Sequence, residues 1–167
     1  MHERLPYERH PRFRRLRDYL SAKAPAGMLP GRQHFDPLEV PELLPYLSLV
    51  EVVPQPGAAP RLRIRLAGTQ VVRYHGAEVT GRFLDEIISG PDAPEIIAQC
   101  LKPIITRRPN FRRAAVAVPG REHVSYERMV FPLASNGEHV DMLIITFVID
   151  MDEAYSSQAC ARDALLA

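Results

Sequence analysis

Residues 142–149 read Met142-Leu143-Ile144-Ile145-Thr146-Phe147-Val148-Ile149. Successive side chains of a β-strand point to opposite faces of the sheet. Here both resulting sets are apolar apart from one threonine, whereas a strand with one face in water alternates apolar and polar residues. We therefore expect a strand that is covered by protein on both faces. The two sets are Met142, Ile144, Thr146 and Val148 on one face, and Leu143, Ile145, Phe147 and Ile149 on the other.

The residues that surround this stretch predict an antiparallel sheet. Asn136-Gly137 is the strongest two-residue hairpin signal in the chain, and it predicts that a strand over 123–134 turns back into a strand over 140–149. Residues 61–66 alternate strictly between arginine and an apolar residue, which indicates a half-buried strand. Two further strands are predicted at 47–53 and 111–118.

Helical periodicity marks two longer segments. Residues 7–23 form the first, and a second helix begins at Asp92 and contains Pro103. Short helical segments are predicted after Gly68 and after Thr80. The order is helix, two strands, short helices, longer helix and three strands. It predicts an α+β fold in which a five-stranded antiparallel sheet has helices on one face and the N-terminal helix against the other.

The first helix carries the apolar surface that the second face of the sheet requires. Its apolar residues recur at spacings of three and four, on one side of the helix. This stripe can pack within its own subunit or across a dimer, and the sequence leaves both arrangements open. We take the stripe as a candidate interface and expect a homodimer. Its members are Phe13, Leu16, Tyr19 and Leu20.

Composition and charge exclude several classes of function. The chain has 167 residues and a net charge of +1, so the whole molecule offers no electrostatic argument for nucleic acid or a membrane. The longest apolar run, 142–149, is too short to span a bilayer, and the N-terminus lacks the apolar stretch of a signal peptide. Two cysteines do not make a disulfide framework. We expect a cytoplasmic protein with reduced thiols.

The sequence contains no nucleophile elbow, phosphate-binding glycine loop or zinc motif, and we expect the protein not to be an enzyme. A minority alternative pairs Glu127 with His123 or His139 as acid and base. His75 is an alternative haem ligand, although a polar or surface role is favoured. Cys100 lies on the apolar stripe of the longer helix, which favours a small buried hydrophobe over a reactive thiol.

A series of short motifs accompanies this order of elements. The chain contains, in sequence, Leu29-Pro30-Gly31-Arg32, Phe35-Asp36-Pro37-Leu38-Glu39-Val40-Pro41, Leu44-Pro45, Arg63-Ile64-Arg65-Leu66-Ala67-Gly68-Thr69, Gly76, Thr80-Gly81-Arg82, Leu84-Asp85-Glu86, Tyr126-Glu127-Arg128 and Pro132-Leu133. Each motif is loose, but their ordered combination closely resembles a divergent family of bacterial PAS proteins, many of which are stand-alone single-domain proteins. The resemblance divides the chain into a flanking helix and connector over 1–28, a PAS-like domain over 29–150, and a tail over 151–167 that can form a helix.

The resemblance implies a sensory or signalling module without an output domain of its own. Many PAS domains bind a small ligand between the sheet and the helices, but no cofactor is common to all of them, so the cofactor is unknown. A protein partner is also expected. The alternatives are an adaptor with a filled core and no ligand, and a small-molecule enzyme. The candidate pocket residues are Tyr74, Ile88, Ile97, Cys100, Leu101, Ile104, Phe111, Tyr126, Met129, Met142 and Ile144.

Overall fold

The strand at 142–149 is central in a five-stranded antiparallel sheet, and none of its residues is exposed. The computed structural model describes residues 10–115 and 125–149. The strands are β1 (Leu47–Gln55), β2 (Ala58–Ala67), β3 (Asn110–Ala115), β4 (Ser125–Leu133) and β5 (Met142–Ile149), in the spatial order β2-β1-β5-β4-β3. The helices are α1 (Pro11–Lys23), α2 (Thr69–His75), α3 (Leu84–Ile87) and α4 (Ala93–Thr106), with 3₁₀ turns at Arg32–His34, Pro37–Glu39 and Leu44–Tyr46.

One face of the sheet packs against α1, and we call it the α1 face. Phe13 and Leu16 have no exposed surface, and Tyr19 and Leu20 are nearly as buried. The Phe13 ring meets the Phe111 ring of β3 edge to face, with centroids 6.3 Å apart. The stripe therefore packs within its own chain, so these four side chains are core residues here. From the central strands the same apolar cluster contains Met129, Phe131, Leu133, Ile144 and Val148.

The opposite face, which we call the α4 face, packs against the helices that follow β2. Cys100 of α4 and Leu84 of α3 belong to one buried cluster with Val130 of β4 and with Leu143 and Ile145 of β5. The two faces of β5 are thus filled by different layers, as its two apolar sets predict. The predicted fold class is confirmed.

The β4–β5 connection differs from the two-residue hairpin that Asn136-Gly137 predicts. Leu133 pairs with Met142, so residues 134–141 all lie in the connection. The Asn136 side chain accepts hydrogen bonds from the backbone N–H groups of Glu138 and His139, at 3.0 and 2.8 Å. The Asn-Gly pair therefore shapes a wider loop instead of closing a tight turn.

That loop holds the connector that leads from α1. The Leu29 N–H donates to the carbonyl of Gly137 at 3.0 Å, and the Ala134 N–H donates to the carbonyl of Pro30 at 2.9 Å. These backbone bonds join the chain just after α1 to the end of β4. The predicted helix before residue 10, the strand residues at 116–118 and 123–124, and the tail over 151–167 lie outside the described residues.

Candidate functional site

The strands β3 and β4 place two arginines side by side beneath α4. Arg112 of β3 is the direct cross-strand partner of Arg128 of β4, so both side chains point to the α4 face. Residues directly opposite one another in such a pair have Cβ atoms only about 5 Å apart, and like charges at these positions destabilise the sheet. We call Arg112 and Arg128 the arginine pair. On its other side Arg128 is opposite Phe147 of β5.

Arg128 is buried without a compensating group. The residue is 3% exposed, and its Nε and Nη2 atoms are buried with no hydrogen-bond partner. Taking an ionised guanidinium out of water costs several kcal/mol unless a partner offsets the loss. Because most buried polar atoms in native proteins are hydrogen-bonded, this exception requires an explanation.

Arg112 has a partner, but an incomplete one. Its Nη1 donates to the carboxylate of Glu95, in the first turn of α4, at 2.8 Å. The Arg112 side chain is 15% exposed and that of Glu95 63%, so this bond lies at the rim of the α4 layer. The Nε of Arg112 is buried and unpartnered. Within 10–115 and 125–149, Glu95 is the only carboxylate that bonds to either member of the arginine pair.

Asn110 adds an amide to the same face of β3. It is opposite Val130, and its Nδ2 donates to the Gln99 side chain of α4 at 3.4 Å. The Oδ1 of Asn110 is buried with no partner. Unpartnered polar atoms thus occur on both strands beneath α4.

Cys100 lies close to the arginine pair on α4 and is 1% exposed. Burial raises the pKa of its thiol, and the nearby charges of Arg128 and Arg112 lower it by less. The thiol is therefore neutral at physiological pH and does not balance the arginines. It packs as the small apolar residue that its position on the helix predicts.

The other predicted pocket residues divide between the two faces. Ile88, Leu101 and Ile104 are partly buried against the α4-face cluster. Tyr74 and Tyr126 belong to a separate cluster with Phe147 and Ile149 at one end of the sheet. Ile97 is half-buried on α4.

Four of the predicted pocket residues lie on the α1 face and not beneath α4. They pack against α1 because the cross-strand register places Phe111 opposite Met129 and Met129 opposite Thr146. That register aligns them with the residues that meet Phe13, so they cannot line a cavity beneath α4. The four are Phe111, Met129, Met142 and Ile144.

Among the described residues, a small cavity and a groove border these clusters. A small one of about 10 Å³, enough for one water, lies on the α4 face and is lined by Tyr46, Gln70, Val71, Tyr74, Phe147 and Ile149. A groove of about 210 Å³ lies on the α1 side and includes Leu20, Met28 and Phe131. Phe147 connects the small cavity to the site, because it is also the cross-strand neighbour of Arg128.

Of the alternative catalytic residues, Glu127 and His139 are not brought together. His139 lies in the β4–β5 loop, where its ring meets Asn136, whereas Glu127 lies near the other end of β4, roughly 20 Å along the strand. His123 falls outside the described residues. His75 ends α2, and burial lowers the pKa of its imidazole. Within residues 10–115 and 125–149, no group of three metal-ligating side chains is found.

A five-stranded antiparallel sheet with helices is the fold of a known family. The family described as "PAS domain" matches residues 8–146. The chain belongs to the PAS domain family. PAS domains are generally sensory or signalling modules rather than enzymes. The match begins before α1, so the first helix belongs to the matched region.

Solved PAS structures share the fold at low sequence identity. The PAS domain of BvgS from Bordetella pertussis is 14% identical with a TM-score of 0.51, over 76% of this chain and 93% of that one. The Rhodobacter sphaeroides LOV protein is 12% identical with a TM-score of 0.50, over 89% of this chain and 73% of that one. No curated protein matches the chain. In the part of the chain that the structure describes, no helix is long and apolar enough to cross a membrane.

The sequence patterns do not identify the arginine pair. Arg128 belongs to the motif Tyr126-Glu127-Arg128, and Arg112 belongs to no motif. The one available signal was the position of Arg128 between Tyr126 and Val130, since both of these side chains face the helices. An arginine in line with two buried neighbours indicates a buried charge.

Proposed function

We propose that this PAS domain is a sensory module that binds a small ligand between the sheet and α4 and passes the signal to a protein partner. The observation that carries the proposal is the buried, unpartnered guanidinium of Arg128. A ligand that accepts hydrogen bonds from Nε and Nη2 would offset the cost of burying this charge. The region between sheet and helices is also where many PAS domains hold their ligands.

The sheet supplies a route from the ligand to the opposite layer. Arg128 faces α4, while its neighbour Met129 packs in the cluster formed with α1. A ligand that moves β4 by a fraction of an ångström would therefore disturb contacts of α1, because close-packed interiors transmit small displacements. The outer side of α1 exposes Arg14, Arg15 and Asp18, to which a protein partner could bind.

Mass spectrometry of the purified full chain tests ligand binding directly. Under native conditions we expect a mass above that of the polypeptide, and the excess should disappear under denaturing conditions. The released compound is then identified from its own mass. A protein that shows only the polypeptide mass, and whose melting temperature does not respond to a metabolite library, would contradict ligand sensing.

An adaptor without a ligand is the second candidate, and the small volume of the cavity beside Tyr74 favours it. In this case the signal would be the binding of the partner itself. Charge reversal at the exposed Arg14 of α1, Arg14→Glu, should abolish partner capture without changing the melting temperature; Arg15 is kept, because it binds Glu42 and the Glu39 carbonyl. A homodimer would be detected by light scattering of the same samples, with the variant showing whether this surface joins the copies.

A further inference from the structure

We infer that the ligand at the arginine pair carries one carboxylate on an apolar body. The inference builds on the proposed function, since it names the chemical class of the ligand for the same site. It follows from three properties of the site: the edge that Arg128 leaves open, the local balance of charge, and the apolar residues around it.

The open edge of Arg128 has the geometry of a carboxylate receptor. Nε and Nη2 lie on the same side of a guanidinium, so their two N–H groups point in parallel at a planar oxyanion. The same molecule uses this edge elsewhere: Arg61 donates from Nε and Nη2 to the two carboxylate oxygens of Asp85, at 2.9 and 2.7 Å. Arg128 presents the same pair of donors to the buried side of the sheet, with no acceptor.

The local charges leave room for one negative charge. Arg112 is balanced by Glu95, and the Cys100 thiol is neutral because burial raises its pKa. The remaining charge is the single positive charge of Arg128. A monocarboxylate neutralises it, whereas a phosphate monoester carries about −1.5 to −2 at pH 7 and would bury an excess of negative charge.

The surroundings of Arg128 specify the rest of the ligand. Phe147 is opposite Arg128 on β5, and Val130 and Tyr126 flank it on β4, on the same face. Cys100 covers this region from α4. These groups offer apolar contacts, so the body of the ligand is a short hydrocarbon chain or ring. The cavity beside Phe147 holds only about 10 Å³, so α4 must move away from the sheet to admit this body.

Access to the site runs past the Arg112–Glu95 bond. This ion pair is exposed on the Glu95 side, and it lies in the first turn of α4. Exposed ion pairs contribute little to stability, so breaking this one costs little free energy. The carboxylate would then reach Arg128 between β3 and α4, and the pair can close again behind it.

Two monocarboxylates test the inference, with a neutral alcohol and a different anion as controls. Hexanoate and benzoate are titrated into the full-length protein, followed by thermal shift and calorimetry, beside hexanol and inorganic phosphate. We expect at least one of the two acids to raise the melting temperature, and hexanol and phosphate to have no effect. Equal responses to hexanol and hexanoate would overturn carboxylate recognition, and a response to phosphate alone would overturn the monocarboxylate assignment.

Two arginine variants locate the binding. Arg128→Gln removes the charge beneath α4, and Arg113→Gln is its control, because Arg113 lies on β3 beside Arg112 with its side chain 57% exposed. We expect Arg128→Gln to lose about tenfold or more in affinity for the acid, the usual effect of deleting a charge-assisted bond, and Arg113→Gln to bind as the wild type. Unchanged affinity in a folded Arg128→Gln protein would overturn the inference.

A measurement on the unmutated protein covers the case in which Arg128→Gln does not fold. The arginine Nε–H signals are followed by ¹⁵N NMR, with that of Arg128 assigned from the wild-type backbone. Binding of the acid should move this signal downfield more than any other arginine signal, and a shift confined to other arginines would count against the site. If mass spectrometry finds a bound compound that lacks a carboxylate, this inference fails and the proposed function stands. If neither compound nor acid binds, both fail.

Discussion

Replacing Arg128 with methionine should stabilise the ligand-free protein. Methionine is unbranched and of similar reach, so Arg128→Met removes the charge with little loss of packing. Replacing buried ionic groups with apolar residues of similar volume is often neutral, or it raises the free energy of unfolding by about 1–4 kcal/mol. Arg128→Met should give a gain within this range, because Arg128 is 3% exposed, has two unpartnered nitrogens and is opposite a second arginine. We expect a gain of about 2 kcal/mol.

Urea unfolding of the dialysed, refolded protein measures this gain. With a slope of about 2 kcal/mol per molar urea for a chain of this size, the midpoint should rise by about 1 M. Arg113→Met is the control, because its side chain is largely exposed and its ion pair with Glu127 is long, at 4.0 Å; its midpoint should change little. A lower midpoint for Arg128→Met would show that the guanidinium has a stabilising partner in the free protein, and the argument for a ligand at this position would be lost.

Further variants test the rest of the structure. Deleting residues 1–28 should expose the α1 face and produce a protein that aggregates or binds ANS, and a well-behaved monomer without ANS binding would contradict the packing of α1. Leu16→Ala, at a fully buried position, should lower the free energy of unfolding by about 2–5 kcal/mol, whereas Leu38→Ala, 85% exposed, should change it by less than about 0.5. Gly68→Ala should be strongly destabilising, because the new Cβ would lie 2.1 Å from the Leu44 carbonyl oxygen. Gly57→Ala should cost less, because the space around Gly57 is open and only its positive φ is strained. Thermal denaturation of the two variants compares these costs. In a Cys160→Ser background, Cys100 should resist thiol reagents until the protein is unfolded. Because the folded state holds the thiol proton more tightly than the unfolded chain, stability should also fall as the pH rises above the ordinary thiol pKa. Cys100→Ala should reduce that slope, and Tyr19, whose pKa burial also raises, should contribute to what remains at higher pH.

The two layers that cover the sheet could be predicted from the periodicity of β5. Both of its alternating sets of side chains are apolar, so each face of the strand needs a covering layer, and the apolar stripe of α1 can supply the second one. Periodicity separates the residues of the two faces of β5, but it does not say which face packs against α1 and which against α4. The pattern therefore places Met142 and Ile144 correctly on one face, and the expectation that this face meets α4 is wrong.

The site could not be predicted to the same extent, because it depends on contacts between residues far apart in the chain. In sequence, Arg128 is one of three polar or charged residues among 125–128, and nothing local distinguishes it from Glu127. Its burial results from α4 lying over β4. Similarly, nothing local pairs Glu95 with Arg112: the two residues are 17 positions apart in the chain, and they meet only because α4 packs over β3.

The burial of β5 on both faces also limits which amino-acid substitutions this protein tolerates. In a systematic substitution experiment, β2 should show alternating tolerance over 62–65, since Arg63 is partly exposed between the buried Leu62 and Ile64, and Arg65 is exposed. Residues 142–149 should instead form an uninterrupted band of intolerance, because no position there is exposed. Substitutions that alter signalling are therefore expected in the helices on the two faces of the sheet, whereas the sequence of the central strand that both layers pack against should stay the same.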